Sequence, residues 1–170
     1  SQEVELPKQS ETTLIRVEDT RYALAFVSAA WFDHPAKKLT TIGITGTKGK
    51  TTTTYLVKSI LENAGRKVGL VGTIEIIIGD THIHAVNTTP ESYLLQEYFA
   101  KMVESGCDTV VMEVSSQALM LHRTQGFVFD FGIFTNLEPD HIGPNEHGSF
   151  EEYAHCKSLL FQQCRVGIAN

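Results

Sequence analysis

The sequence has few cysteines, little positive charge and no long apolar run. Its three cysteines, Cys107, Cys156 and Cys164, are widely spaced and form no C-x-x-C pair. This spacing argues against a disulfide framework or a cysteine zinc site and favours a reducing compartment such as the cytoplasm. The formal net charge of −6 leaves no basic surface of the kind that nucleic-acid binders carry. No apolar run approaches the roughly 18 residues that cross a bilayer, so we expect neither a nucleic-acid nor a membrane partner.

What is present is a globular composition, 42% hydrophobic and 20% charged, in a chain of single-domain length. Apolar strands alternate with helical segments of about 10–16 residues, a pattern typical of parallel βαβ units with helices on both faces of the sheet. Gly79-Asp80, between two short β-rich runs, predicts a hairpin turn. We therefore predict an α/β fold with a mostly parallel, phosphate-loop type sheet and one β-hairpin. Because the last predicted strand is followed by nothing, we expect a fragment of a longer protein with an incomplete sheet.

The strongest local signal is a Gly- and Lys-rich loop between a predicted strand and a predicted helix, Gly46-Thr47-Lys48-Gly49-Lys50-Thr51. Glycines let backbone N–H groups wrap phosphate oxygens, and a helix N-terminus adds partial positive charge. Lys50 would supply a point charge for the β- and γ-phosphates, and the Thr51 hydroxyl can reach Mg²⁺. The strict G-x-x-x-x-G-K-[ST] pattern wants glycine at Ile44, whereas the glycine is Gly43. The alternative is a Gly-rich turn with a surface lysine.

Acidic and histidine side chains follow two further predicted strands. Glu113 ends an apolar run, where an acid is costly to bury, at a strand end of the kind that binds ligands in open α/β sheets. A Mg²⁺ ligand is the functional interpretation, and a carboxylate bonded to a nearby backbone N–H or lysine is the alternative. Asp140-His141 follows the next strand, so we expect both residues near Glu113 and the loop. His141 is then either a metal ligand or a structural histidine.

Two other segments have ordinary interpretations by pattern alone. Lys157, on the last predicted helix, reads as a solvated lysine. Asn87-Thr88-Thr89-Pro90 lies between a strand and a helix, and Thr89 as the cap of a helix that begins at Pro90 is as plausible as a binding role.

In order and spacing, these segments resemble one family, the Mur ligases, and within it the MurE branch. The resemblance covers about residues 14–170 and is carried by Ile42–Thr52, Asn87–Pro90, Met112–Leu119, Phe134–Leu137 with Asp140-His141, and Tyr153 with Lys157. MurE enzymes use ATP to add the third amino acid to UDP-N-acetylmuramoyl-L-alanyl-D-glutamate in peptidoglycan synthesis. The resemblance implies a cytoplasmic, ATP- and Mg²⁺-dependent ligase that forms an amide bond through an acyl phosphate.

The resemblance also implies roles for individual residues. ATP would be bound by the loop residues Gly46, Thr47, Lys48, Gly49, Lys50, Thr51 and Thr52. The implied catalytic residues are Lys50, Glu113, His141 and Lys157. The implied Mg²⁺ ligands are Thr51, Glu113, His141 and Lys157, the lysine being typically carbamylated in the family. The nucleotide-peptide substrate would be met by Asn87, Thr88, Thr89, Ser115 and Arg123.

This sequence departs from the family at two positions. Gln117 stands where members often carry His, and Leu121 stands where a substrate-contacting Gln is often found. The segment after His141 is also longer than the common form. These departures concern substrate contact rather than the ATP site.

The family's architecture implies that residues 1–39 are the tail of an N-terminal substrate-binding domain with its linker, and that residues 40–170 begin the central ATP-binding domain. The expected partners are the UDP-N-acetylmuramoyl dipeptide and an amino acid, either lysine or diaminopimelate. We expect an intact protein that is monomeric and a fragment that is inactive by itself. Two alternatives remain: a folylpolyglutamate-synthetase-like ligase with the same ATPase core, and a non-catalytic nucleotide-binding module.

Overall fold

The structure, a computed structural model, describes residues 13–140, 142–143 and 147–170. Helices and strands alternate along these ranges. In chain order they are α1 (Thr20–Trp31), β1 (Thr40–Thr45), α2 (Lys50–Asn63), β2 (Val68–Val71), β3 (Glu75–Ile78), β4 (Thr81–His84), α3 (Ser92–Glu104), β5 (Thr109–Glu113), α4 (Ser116–Met120), β6 (Phe129–Phe134), α5 (Phe150–Gln162) and β7 (Cys164–Ala169), with a short 3-10 helix at Pro35–Lys38. Within the described ranges, no helix has the length and apolar character needed to cross a bilayer.

The strands form one sheet in the order β4-β3-β2-β5-β1-β6-β7. Strands β2, β5, β1, β6 and β7 run parallel, whereas β3 and β4 form an antiparallel hairpin at one edge. The hairpin turns at Gly79-Asp80, where Gly79 has a φ of +55°. The predicted mostly parallel sheet with one hairpin is therefore confirmed.

The middle of the sheet is buried on both faces, which explains why its strands are continuous apolar runs. Every residue of β2 and β5 is buried. Because β1 and β5 are parallel neighbours, their carboxyl ends meet at one edge, with Ile44 of β1 paired to Glu113 of β5. The segment after β1 and the acid that ends β5 are thereby brought together.

Helix α2 buries only some of its apolar residues against the sheet. Leu56 and Ile60 are 58% and 66% exposed. Val57 and Leu61 pack against the sheet instead. The physical reason is that the loop before α2 fixes the orientation of its first turn, so that the stripe continuing from Lys50 is the one that faces the strands.

Candidate functional site

The loop predicted to bind phosphate leaves β1 and enters α2 at the carboxyl edge of the sheet. Two of its glycines adopt backbone angles that favour glycine, with φ of +152° at Gly46 and +79° at Gly49. The segment after β6 braces the loop, because Asn136 accepts the Thr47 N–H on its carbonyl at 3.1 Å and the Lys48 N–H on Oδ1 at 2.9 Å. The loop is therefore held in shape by a neighbouring strand end as well as by its own glycines.

Gly46 offers a direct test of this shape. A Cβ atom at Gly46 would overlap Thr135 Oγ1, whereas a Cβ at Gly49 would meet no atom within 4 Å. Gly46→Ala is expected to lower the free energy of unfolding by more than Gly49→Ala, which has only the cost of a positive φ, about 1–2 kcal/mol. Urea unfolding followed by circular dichroism measures both variants. Equal losses for the two variants would contradict the close approach at Gly46.

Two lysines converge on a single carbonyl oxygen of the loop. Lys50 Nζ donates to the Gly46 carbonyl at 2.9 Å and to the Thr47 carbonyl at 3.1 Å. Lys157 Nζ, from α5, donates to the same Gly46 carbonyl at 2.8 Å. Lys157 is only 1% exposed, so its interpretation as a solvated lysine is wrong. The physical reason is that α5 packs its Lys157 side against the loop, with Lys157 Nζ 4.5 Å from the ring centroid of Tyr153.

Burial and the nearby positive charge of Lys50 change the protonation of the Lys157 amine. Burial lowers the pKa of Lys157 to about 7, and the positive charge of Lys50 acts in the same direction. Burial also lowers the pKa of Lys50, although the negative charges of Glu113 and Asp140 oppose that shift. The negative charge of Asp140 likewise opposes the lowering of the pKa of Lys157. Near neutral pH, a large fraction of the Lys157 amine is therefore uncharged.

Glu113, the acid that ends β5, is 1% exposed. Thr51, in the first turn of α2, donates its hydroxyl to this carboxylate, and Thr51 Oγ1 lies 3.0 and 3.1 Å from the two carboxylate oxygens. The backbone N–H of Thr73 donates to Glu113 Oε1 at 2.9 Å. Glu113 thus has features of both interpretations from the sequence. As a metal ligand would, it lies beside Thr51, and as a structural carboxylate would, it accepts a backbone N–H.

The oxygen atoms beside Thr51 suit a hard divalent cation. A carboxylate and a hydroxyl are ligands that Mg²⁺ takes together with the phosphate oxygens of a substrate. Among the described residues, no three His, Cys, Asp or Glu side chains cluster closely enough to hold a metal. A magnesium ion would thus depend on Glu113, Thr51 and a bound phosphate together. His141 lies outside the described residues, and the metal roles of Glu113, His141 and Lys157 stay predictions.

A pocket of about 230 Å³, which we call the side pocket, opens beside the loop. It is lined by Lys50, Asn87, Thr88, Thr89, Ser115, Ser116, Gln117, Arg123 and Lys157. All five residues for which the resemblance implies contact with a nucleotide-peptide thus line one pocket. Lys50 and Arg123 bring positive charge to its wall. The side pocket therefore suits an anionic ligand.

Thr89 does not cap the helix that follows it. Its buried hydroxyl donates to the Glu113 carbonyl at 3.0 Å and accepts from the Ser115 N–H at 3.1 Å. Helix α3 begins further along the chain, with Glu91 as its N-cap residue. The Thr89 carbonyl accepts from Arg123 at 3.1 Å. Thr89 thus ties the segment after β4 to the end of β5, and this tertiary role corrects the capping interpretation.

Two further residues support the site, although no motif in the sequence singles them out. Thr73 comes shortly after the carboxyl end of β2, the neighbour of β5, so the strand order alone would point to it. His147 is fully buried, and its Nε2 lies 2.8 Å from Ser116 Oγ. Its ring packs against Tyr153, with centroids 5.2 Å apart. No local pattern marks His147, because its burial results from contacts with α4 and α5.

A larger cavity, of about 720 Å³, lies at the opposite edge of the sheet. Its lining includes Leu39, Val128 and Arg165, which border the amino ends of β1, β6 and β7. Ligands of open parallel sheets bind at the carboxyl ends of the strands, where the loop and Glu113 lie. The size of a cavity therefore does not identify the site. The site is identified by the phosphate-binding loop, the buried acid and the two lysines, which lie together at the carboxyl edge.

This combination of loop, acid and lysine is matched by a known family. Residues 44–170 match the family model of the Mur ligase middle domain. The chain belongs to the Mur ligase middle-domain family. The resemblance inferred from the sequence is therefore confirmed.

The curated relatives of this Mur ligase domain include ligases named for diaminopimelate. UDP-N-acetylmuramoyl-L-alanyl-D-glutamate–2,6-diaminopimelate ligase 1 of Clostridium acetobutylicum is 50% identical over 163 residues, which are 96% of this chain and 33% of that protein. The corresponding ligase of Caldanaerobacter subterraneus is 52% identical over 153 residues, which are 90% of this chain and 31% of that protein. The chain thus spans about a third of the length of the curated relatives it matches.

Solved structures share the fold of this Mur ligase domain. A UDP-N-acetylmuramoyl-L-alanyl-D-glutamate–2,6-diaminopimelate ligase matches with a TM-score of 0.78 at 25% identity, over 91% of this chain and 31% of that one. The Mycobacterium tuberculosis folylpolyglutamate synthase complexed with ADP matches with a TM-score of 0.66 at 13% identity, over 89% of this chain and 42% of that one. The second likeness concerns the fold alone.

Proposed function

We propose that the full-length protein is an ATP-dependent ligase that adds diaminopimelate to UDP-N-acetylmuramoyl-L-alanyl-D-glutamate in peptidoglycan synthesis. The observation that carries this proposal is the meeting of three features at one edge of the sheet. These features are the glycine-rich loop, the buried Glu113 beside Thr51, and the positively charged side pocket. Lys50 and Lys157, which share the Gly46 carbonyl, lie where they meet. The names of the relatives supply the substrates.

ATP would bind along residues 46–52. Backbone N–H groups at the start of α2, together with the positive end of that helix, would hold its phosphate oxygens. Lys50 would exchange its contacts with loop carbonyls for the β- and γ-phosphates. Mg²⁺ bound at Thr51 and Glu113 would supply charge neutralisation at these phosphates.

The side pocket would hold the nucleotide-peptide through Asn87, Thr88, Thr89, Ser115 and Arg123. In the first step, an oxygen of its terminal carboxylate forms a bond to the γ-phosphorus while the bond to ADP breaks. In the second step, the amine of the incoming amino acid bonds to the acyl carbon, phosphate leaves, and the amine loses a proton to solvent. The positive charges of Lys50 and Arg123 oppose the negative charge of these groups. Holding reactants in place in this way contributes roughly 7–11 kcal/mol to lowering a barrier.

Lys157 would act as a carbamate, as the resemblance implies, and His141 as a further Mg²⁺ ligand. An amine must be uncharged to react with CO₂, and burial beside Lys50 favours the uncharged form of Lys157. The carbamate would add an oxygen donor to a site that has few acidic side chains.

The division of the chain and the choice of amino acid belong to the same proposal. Residues 40–170 would be the first part of the central domain, preceded by the tail of an N-terminal substrate-binding domain at residues 1–39. Folylpolyglutamate synthesis has weaker support, because the match to that enzyme is 13% identical whereas the diaminopimelate ligases reach 50%. Diaminopimelate rather than lysine follows from the names of those ligases.

The test is product formation by the full-length protein. We expect ATP, Mg²⁺ and the UDP-muramoyl dipeptide to give a tripeptide product with diaminopimelate and none with lysine, as measured by mass spectrometry with phosphate release in parallel. Glutamate addition to a folate would contradict the proposal. Nucleotide binding without any product would also contradict it, and would favour a binding module.

A further inference from the structure

The loop between β2 and β3 also contacts the acid that ends β5. Thr73, in this loop, is exposed and is not part of the hydrophobic core. The Thr73 N–H donates to Glu113 Oε1 at 2.9 Å, and Thr73 Oγ1 lies 3.1 Å from Glu113 Oε2. One residue thus holds both carboxylate oxygens and fixes the plane of the carboxylate.

The neighbouring Gly72 makes this approach possible. A Cβ atom at Gly72 would lie 2.7 Å from Glu113 Oε1. The carboxylate therefore packs against the backbone of the loop itself. The first turn of α2, through Thr51, and the Gly72-Thr73 loop thus both contact the Glu113 carboxylate.

Thr73 also contacts the side pocket. Its Oγ1 lies 3.0 Å from Oγ1 of Thr88, one of the residues lining the side pocket. A hydroxyl has one proton to donate, and a carboxylate can only accept. The Thr73 proton therefore goes to Glu113, and the Thr88 proton goes to Thr73. This fixes the direction of the whole chain, Thr88 to Thr73 to Glu113, and leaves the lone pairs of Thr88 for a ligand that donates an N–H or O–H.

The hairpin strengthens this link between the two threonines. Thr73 precedes β3 and Thr88 follows β4, so both lie where the hairpin joins the rest of the chain. The Ala85 N–H donates to the Ile74 carbonyl at 3.2 Å, which extends the pairing of the two strands toward these ends. A ligand that orders Thr88 therefore orders Thr73 as well.

From these contacts we infer that Thr73 is a positioning residue that couples occupancy of the side pocket to the orientation of the Glu113 carboxylate. The inference rests on the proposed function, in which the side pocket holds the nucleotide-peptide and Glu113 contributes to a magnesium site. A donor group of the substrate at Thr88 fixes the chain of hydroxyls, and the ordered carboxylate then binds the cation more tightly. By linkage, the cation tightens substrate binding by the same factor.

The experiment measures metal affinity rather than turnover. Mn²⁺, as a probe for the Mg²⁺ site, is titrated into the full-length protein with ADP and followed by electron paramagnetic resonance, with and without the UDP-muramoyl dipeptide. In the wild type, the dipeptide is expected to tighten Mn²⁺ binding at least about five-fold. Thr73→Val is expected to weaken Mn²⁺ binding about ten-fold and to remove the effect of the dipeptide. Thr73→Ser, which keeps the hydroxyl, is expected to retain both.

Three outcomes distinguish the hypotheses. Thr73→Val with wild-type Mn²⁺ affinity and an undiminished dipeptide effect would overturn the inference, as would equal losses in Thr73→Ser and Thr73→Val. A wild type that binds ADP and Mn²⁺ but not the dipeptide would overturn the proposed function. In that case the Mn²⁺ affinities of the two variants still decide whether Thr73 positions Glu113. The thermal midpoint of Thr73→Val should match the wild type, because its side chain is exposed.

Discussion

Lys157→Ala is expected to reduce ligase turnover of the full-length protein by about a thousand-fold, the scale on which single charge-stabilising groups act in catalysis. Nucleotide affinity should change only a few-fold, because Lys50, which also lies against the Gly46 carbonyl, remains available for the phosphates. The buried Lys157 amine lies 2.8 Å from the Gly46 carbonyl, in the loop that would hold the nucleotide. Steady-state kinetics and ADP titration calorimetry separate the two effects.

A matched control and a chemical rescue sharpen this test. Lys101→Ala removes an exposed lysine that pairs with Glu97 on α3, and it should leave turnover unchanged. Formate or acetate in the buffer should partly restore turnover to Lys157→Ala if the missing group is a carbamate. Normal turnover in Lys157→Ala would exclude the proposed role of this residue.

The low pKa of Lys157 also predicts how stability depends on pH. The pKa is about 7 in the folded protein and 10.5 for an ordinary lysine, so between these values the unfolded chain binds more protons. Stability from this group therefore rises with pH across that window, by up to about 1.4 kcal/mol per pH unit, and its destabilisation is greatest below pH 7. Lys157→Met should remove that slope. Urea unfolding at several pH values in CO₂-free buffer measures it, and identical slopes in both proteins would contradict the burial of a titrating amine.

Glu113→Gln is expected to lower turnover strongly and to weaken the dependence of nucleotide binding on Mg²⁺. The substitution preserves shape but replaces one acceptor oxygen by an amide donor, which then faces the donors of Thr51 and Thr73. Leaving these partly buried donors unsatisfied costs up to about 1–3 kcal/mol of stability. Loss of the carboxylate charge should lower turnover by about a hundred-fold or more.

Glu104→Gln, at an exposed position on α3, is the control for this variant and should behave as the wild type. Urea unfolding and Mg²⁺ titrations of ADP binding provide the readouts. If Glu113→Gln kept the wild-type magnesium dependence, the buried acid would be a structural residue rather than part of a metal site.

Strand order and strand ends account for most of what the sequence predicts correctly. Glu113 and the loop could be placed together because parallel apolar strands bring their carboxyl ends to one edge. The burial of Lys157 could not be predicted from its charge, because a charged side chain is expected to face solvent. Its spacing did contain the signal, because Lys157 lies four residues after Tyr153 and three before Leu160, both buried in α5. Only the packed helix shows that this stripe faces the loop.

Thr89 illustrates a different limit. Thr-Pro before a helix is a strong local signal for capping, and the local chemistry of Thr89 permits that role. In the fold, the Thr89 hydroxyl instead donates to the Glu113 carbonyl and accepts from the Ser115 N–H. Both partners are distant from Thr89 in sequence. Local propensity cannot show such partners, because they become neighbours only when the sheet has formed.

The hairpin turn at Gly79-Asp80 is a position where a substitution or insertion is expected to have little effect on the candidate site. Each hairpin strand has four residues and is about 13 Å long, so a full strand separates the turn from the segments that hold Thr73 and Thr88. An insertion at Asp80 is expected to leave the spacing of the two threonines unchanged. For the same reason, a cysteine introduced at Asp80 would accept a fluorescent dye that reports movement of the hairpin while the reaction itself proceeds undisturbed.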